Sequence, residues 1–126
     1  MAKHHSPRFL ALVQEAKKRI RECSVADVKS RLDAGETFEL IDVREPHEFQ
    51  ICRIPGSTLI PLGQLPTRVN ELPTAAGSPE IIVHCRSGVR SAKAVRLLEE
   101  RGIASRNLKG GILAWIDRID PTLPKY

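Results

Sequence analysis

Aromatic side chains are scarce in this 126-residue chain: Phe9, Phe38, Phe49, Trp115 and Tyr126 make up 4% of it. They do not interleave with basic residues, so the stacking platform used to hold single-stranded nucleic acid is missing. No apolar run approaches the roughly 20 residues of a membrane span. The opening stretch from Met1 to Pro7 lacks the apolar segment and small-residue cleavage site of a secretory signal. Cysteine is limited to Cys23, Cys52 and Cys85, separated by 29 and 33 residues. An odd count argues against a disulfide framework, and no Cys or His pair stands at zinc spacing. The expectation is a cytoplasmic protein with free thiols, no metal and no membrane span.

What remains is the material of one ordinary domain. At 14.0 kDa, with 41% hydrophobic and 28% charged residues, the chain can bury roughly two-thirds of its unfolded surface around a single core. The net charge of +5 is unevenly spread. Residues 1–23 hold Lys3, Arg8, Lys17, Lys18, Arg19 and Arg21 against Glu15 and Glu22, a balance of +4, which leaves +1 for the other 103 residues. The basicity belongs to an N-terminal arm, which does not make a nucleic-acid-binding body.

The periodicities alternate between helix and strand. Pro7 to Glu22 predicts a first helix, with Phe9, Val13, Ala16 and Ile20 on one face and the basic residues opposite, an extension laid on the body or on a partner. Ser24 caps a second helix carrying Val25, Val28 and Leu32, and Gly35 stops it. Strands are expected over 38–43, 58–60 and 81–84 and around Leu108. Helical segments are expected over 47–50, from Leu62 to Leu72 with a break at Pro66, over 91–101 and over 112–119. That order predicts an α/β fold, a mainly parallel sheet with helices on both faces.

In such sheets ligands bind beyond the carboxyl ends of the strands. Two strands bring polar residues there, Asp42-Val43-Arg44 and Cys85-Arg86-Ser87-Gly88-Val89-Arg90. In the second, a cysteine ends a buried strand, a glycine-containing loop follows, and a helix begins. A loop of this kind turns its N–H groups inward as an anion-binding nest. Between Ile81 and Leu98 stand Arg86, Arg90, Lys93 and Arg96 and no carboxylate. An ordinary cysteine is only a few per cent thiolate at neutral pH. A helix N-terminus stabilises an anion by about 0.3–2 kcal/mol, and neighbouring cations act the same way, so this setting favours a reactive thiolate. Cys23 and Cys52 lack it and are expected to be structural. His84 alternates away from the loop as a packed strand residue, His47 is a weak candidate for the site, and His4 and His5 read as solvated tail.

Four motifs then stand in order: Asp42-Val43-Arg44-Glu45-Pro46-His47-Glu48-Phe49, Arg53-Ile54-Pro55-Gly56-Ser57, Cys85-Arg86-Ser87-Gly88-Val89-Arg90-Ser91 and Leu108-Lys109-Gly110-Gly111-Ile112-Leu113-Ala114-Trp115. Together they resemble a rhodanese domain over residues 24–120, preceded by the arm of residues 1–23 and followed by a tail of residues 121–126. The resemblance implies a compact domain around a five-stranded, mainly parallel sheet. It also implies sulfurtransferase chemistry without a cofactor. Cys85 would take sulfane sulfur from a small anionic donor such as thiosulfate, hold it as a persulfide, and pass it to cyanide, a thiol or a sulfur-carrier protein. On the same resemblance the amides of Arg86, Ser87, Gly88, Val89 and Arg90 cradle the persulfide. The Arg86 and Arg90 side chains attract the donor, and Asp42 and Arg44 brace the site. Cys52 stands where many members have glycine. The closing segment from Asp120 resembles the end of rhodanese domains fused to adenylyltransferases of sulfur-carrier pathways.

Two rival functions have their own signatures. Cysteine phosphatases and the related arsenate reductases place five residues between cysteine and arginine, whereas four separate Cys85 from Arg90 and position 91 is serine. A non-catalytic module that binds a partner or senses sulfide would be expected to lose the cysteine, and Cys85 is present with its loop complete.

Overall fold

The computed structural model describes residues 20–126. Five strands form one sheet: β1 (Glu22–Cys23), β2 (Phe38–Asp42), β3 (Thr58–Leu59), β4 (Glu80–His84) and β5 (Arg106–Leu108). Their order is β1-β5-β4-β2-β3 and every pairing is parallel. The helices are α1 (Val25–Asp33), α2 (Pro46–Ile51), α3 (Leu65–Arg68), α4 (Val89–Glu100) and α5 (Gly111–Arg118). Short 3-10 turns flank α3, so the expected helix between Leu62 and Leu72 is broken into three pieces.

Alternation along the strands divides the core into two layers. Leu40 and Ile82 face one side, where α1 contributes Val25 and Val28 and α5 contributes Ile112, Trp115 and Ile116. Ile41, Val43, Ile81 and Val83 face the other, against Ala94, Val95 and Leu98 of α4. The helices therefore cover both faces, as the sequence pattern predicts. Among the described residues no helix is long and apolar enough to cross a membrane.

The first helix expected over 7–22 lies outside the described residues except for its last three, and there the expectation is corrected. Glu22–Cys23 is an edge strand, not the end of a helix. Two hydrogen bonds hold it to β5, from Asn107 N–H to the Arg21 carbonyl at 2.8 Å and from Lys109 N–H to the Cys23 carbonyl at 2.9 Å. A two-residue strand carries no alternation that would interrupt a helical pattern. At the other end, Leu123 and Tyr126 pack against the core layer of α1 and α5.

Candidate active site

Because all five strands run parallel, β2, β4 and β5 deliver their ends to one edge of the sheet. Cys85 directly follows β4 and is fully buried, while Arg86, Ser87 and Val89 of the same loop are exposed. Helix α4 begins at Val89, two residues earlier than its apolar pattern suggests. Its N-cap is Gly88 at φ 112°, a left-handed conformation that glycine reaches without strain. That turn aims the Gly88 N–H at Cys85 Sγ, 3.1 Å away, and the Ser91 N–H approaches the same sulfur at 3.4 Å. The Ser91 hydroxyl stands 3.3 Å from Sγ.

The loop is oriented from behind by α5. The N–H groups of Ile112 and Leu113 donate to the carbonyls of Cys85 and Arg86 at 2.9 and 3.1 Å. These are free donors of a helix N-terminus, spent on fixing another segment. With those two carbonyls held outward, the following peptide units turn their N–H groups toward the sulfur. Of the loop amides expected to form the cradle, that of Gly88 reaches Sγ, joined by that of Ser91, which the expectation did not include.

Asp42 and Arg44 form a fully buried ion pair beside this loop. The Arg44 guanidinium reaches both Asp42 oxygens from Nε, at 2.9 and 3.0 Å, and donates to the Cys52 carbonyl at 2.7 Å. It also donates to the Tyr126 hydroxyl at 2.7 Å. Burial opposes the charge on Arg44, but the hydrogen bonds to Asp42 and Tyr126 outweigh it and hold the group protonated. Neither residue touches the sulfur.

A second ion pair continues this network. Arg90 makes two hydrogen bonds to Glu48 of α2, at 2.5 and 2.9 Å, and the Tyr126 hydroxyl donates to Glu48 at 2.8 Å. Glu48 also closes the N-terminus of α2 by accepting the Glu45 N–H at 3.0 Å. The Arg90 hydrogen bonds lower the Glu48 carboxyl from 4.5 to about 2 despite its burial, with the Glu45 amide and Tyr126 adding to the effect. Arg86 lies over the Tyr126 ring, 5.1 Å from its centroid, and donates to the Tyr126 backbone oxygen. Both loop arginines thus meet partners at the mouth.

The other candidates sit away from the sulfur. His84 is fully buried, and desolvation lowers it to about 4, so it is neutral at pH 7. Its ring nitrogens have no hydrogen-bond partner, which suits a packed residue rather than a base. His47 is exposed on α2. Cys23 and Cys52 belong to the core layer across the sheet from Cys85. Burial pushes the Cys23 thiol up to about 11, and Cys52 donates to the Pro124 carbonyl at 3.3 Å. Among the described residues no group of acidic, His or Cys side chains is placed to hold a metal.

Four site residues carried no role in the sequence reading: Ser91, Asn107, Glu48 and Tyr126. Glu48 had a local signal, since it stands three residues after Glu45 at a helix start marked by Pro46. Asn107 and Tyr126 reach the site only through tertiary folding.

A family model for the "Rhodanese-like domain" matches residues 24–118. The chain is 35% identical over 102 residues to "Putative sulfurtransferase YtwF" of Bacillus subtilis, covering 81% of this chain and 96% of that one. It is 35% identical over 117 residues to "Adenylyltransferase and sulfurtransferase MOCS3" of Arabidopsis thaliana, covering 82% of this chain but only 25% of that protein. Among solved structures, a rhodanese-like domain protein from Staphylococcus aureus superposes with a TM-score of 0.70 at 31% identity, covering 76% of this chain and 91% of that one.

Proposed function

The chain belongs to the rhodanese-like domain family, and on that premise we propose that it is a sulfurtransferase working through a Cys85 persulfide. The observation that carries the proposal is the meeting of the Gly88 and Ser91 N–H groups on the Cys85 sulfur at the start of α4. Preoriented donors of this kind stabilise negative charge on sulfur without reorganising during the reaction.

In the first half-reaction the Cys85 thiolate, its proton lost to solvent, attacks the outer sulfur of thiosulfate. A new S–S bond forms, the old one breaks, and sulfite leaves with the electron pair. In the second, a thiophile such as cyanide attacks the outer sulfur of the persulfide. Thiocyanate leaves and the Cys85 thiolate returns. Electrons balance over the cycle and no cofactor is required.

Burial of Cys85 sets the order of events. The resting sulfur is fully buried, so a donor must present a slender terminal atom. The persulfide carries the reactive sulfur about 2 Å farther toward the mouth, where a larger acceptor can meet it. Arg86 and Arg90 provide positive potential there for an anionic donor, Arg90 as one half of an ion pair with Glu48. The resemblance of the closing segment to rhodanese domains of sulfur-carrier pathways, beside the likeness to a relative named adenylyltransferase and sulfurtransferase, supports a sulfur-carrier protein as acceptor, alongside small thiols.

The test is thiocyanate formation from thiosulfate and cyanide. The native chain produces thiocyanate and Cys85→Ser produces none. Equal rates in the two would overturn the proposal.

A further inference from the structure

Behind the sulfur runs a chain of hydrogen bonds in which every polar atom has a determined role. Asn107 is on β5 and Ser91 is on α4, and both are buried. The Asn107 amide nitrogen faces two groups that can only accept, the Gly88 carbonyl at 3.3 Å and a Glu22 carboxylate oxygen at 3.5 Å. Turning the amide over would set its oxygen against both. The orientation is therefore fixed by its surroundings. The Asn107 oxygen then faces the Ser91 hydroxyl at 2.5 Å. Ser91 has one hydroxyl hydrogen, and in this arrangement Asn107 takes it.

This has a consequence for Cys85. With its hydrogen committed to Asn107, the Ser91 oxygen offers only a lone pair to the sulfur 3.3 Å away. A thiol satisfies that lone pair by donating to it, whereas a thiolate faces it unfavourably. For Ser91 to turn its hydrogen to a sulfur anion, it must leave the buried Asn107 oxygen unpaired, which costs about as much as one hydrogen bond.

We propose that Asn107 is a positioning residue which, by holding the Ser91 hydroxyl hydrogen away from Cys85, sets how readily the Cys85 thiol gives up its proton. Asn107 does not touch the sulfur. It acts only through Ser91. The site therefore has two opposed controls: the Gly88 and Ser91 amides favour the sulfur anion, and the Asn107–Ser91 pair favours the thiol.

The other charged and titratable groups around the sulfur are Arg86 and Arg90 of the loop, Glu48 paired with Arg90 from α2, the buried Asp42–Arg44 pair at the end of β2 with the Tyr126 hydroxyl on it, and Glu22 of β1 behind Asn107. On β4, His84 is neutral at pH 7. Of the α5 residues pressed on the loop, Gly111, Ile112 and Leu113 carry no charge. The proposed substitution at Asn107 leaves all of these side chains in place.

The inference rests on Cys85 being the sulfur carrier for its meaning, but its test does not use sulfur transfer. The pH dependence of thiolate ultraviolet absorbance, taken as the difference between each chain and the same chain carrying Cys85→Ser, reads the thiol in the full chain without needing a reagent to reach the buried sulfur. Asn107→Leu releases the Ser91 hydrogen to the sulfur, and the midpoint moves to lower pH by roughly half to one pH unit. In a Ser91→Ala background the same substitution leaves the midpoint where Ser91→Ala alone puts it. Asn107→Ala also removes the acceptor and serves if the leucine variant does not fold. It moves the midpoint downward in the same way, and not when Ser91 is alanine. An unmoved midpoint in folded Asn107→Leu, or equal shifts with and without the Ser91 hydroxyl, would overturn the proposal.

Discussion

Gly111 is pressed so closely on Cys85 that a Cβ at position 111 would lie 2.5 Å from the Cys85 carbonyl oxygen, with the Arg86 carbonyl oxygen equally near. These are the carbonyls held by the first amides of α5. Glycine is needed here for two reasons, the close approach and a φ of +59°.

Gly111→Ala is predicted to displace the Cys85 loop. The backbone strain alone costs about 1–3 kcal/mol, and the overlap with two backbone oxygens adds to it. Gly35→Ala is the control: it also sits at positive φ, but nothing lies within 4 Å of its Cβ. A thermal melt should show the greater loss for Gly111→Ala. Sulfur loading of the folded protein should fall in that variant alone.

Arg90→Ala should weaken the use of thiosulfate, seen as a raised KM for that donor. It should also destabilise the protein, because the Glu48 side chain, 8% exposed, loses its ion-pair partner. Arg90 is itself 33% exposed, so the cost is set at about 1–3 kcal/mol, below that of breaking a fully buried pair. Denaturant unfolding alongside donor kinetics separates the two effects. Unchanged stability would mean that the Arg90–Glu48 pair contributes nothing in solution.

Acid should unfold the protein in two overlapping stages. His84 is lowered from 6.5 to about 4 by burial. The unfolded chain therefore binds its proton first, and stability falls as pH drops from 6.5 through about 4. Glu48 is lowered from 4.5 to about 2, and its share of stability falls as pH drops from 4.5 toward 2. In melting temperatures measured against pH, His84→Phe should flatten the first stage and Glu48→Gln the second. A native profile with no decline below pH 6.5 would contradict the His84 assignment.

Much of this architecture was legible along the chain because its signals are local. Ser24 caps α1 by accepting the Asp27 N–H at 3.0 Å, and the strand–cysteine–glycine–helix order around Cys85 announces the loop. The edge strand at Glu22–Cys23 was not legible, since two residues bonded to β5 depend on a partner more than 80 positions away. Tyr126 looked like tail, yet its hydroxyl bridges Arg44 and Glu48. Asn107, next to Leu108, belongs to no motif along the chain. Contacts of this kind arise when distant segments converge, and no periodicity encodes them.

The spacing of the loop predicts what the protein does not do. A phosphoryl group needs donors around three oxygens. The turn from Cys85 to Arg90 is one residue shorter than a phosphatase loop, and Ser91 stands where that arginine would be. Aryl phosphates should be hydrolysed no faster by the native chain than by Cys85→Ser. Faster, Cys85-dependent hydrolysis would contradict the reading of the loop.

The most direct measurement is the intact mass of the protein after incubation with thiosulfate, then after addition of cyanide. The expected result is a gain of one sulfur atom, mapped to the Cys85 peptide, absent in Cys85→Ser and retained in Cys23→Ser and Cys52→Ser. Cyanide should remove it with release of thiocyanate. A native chain that gains no sulfur, or gains it equally when Cys85 is serine, would contradict the persulfide mechanism.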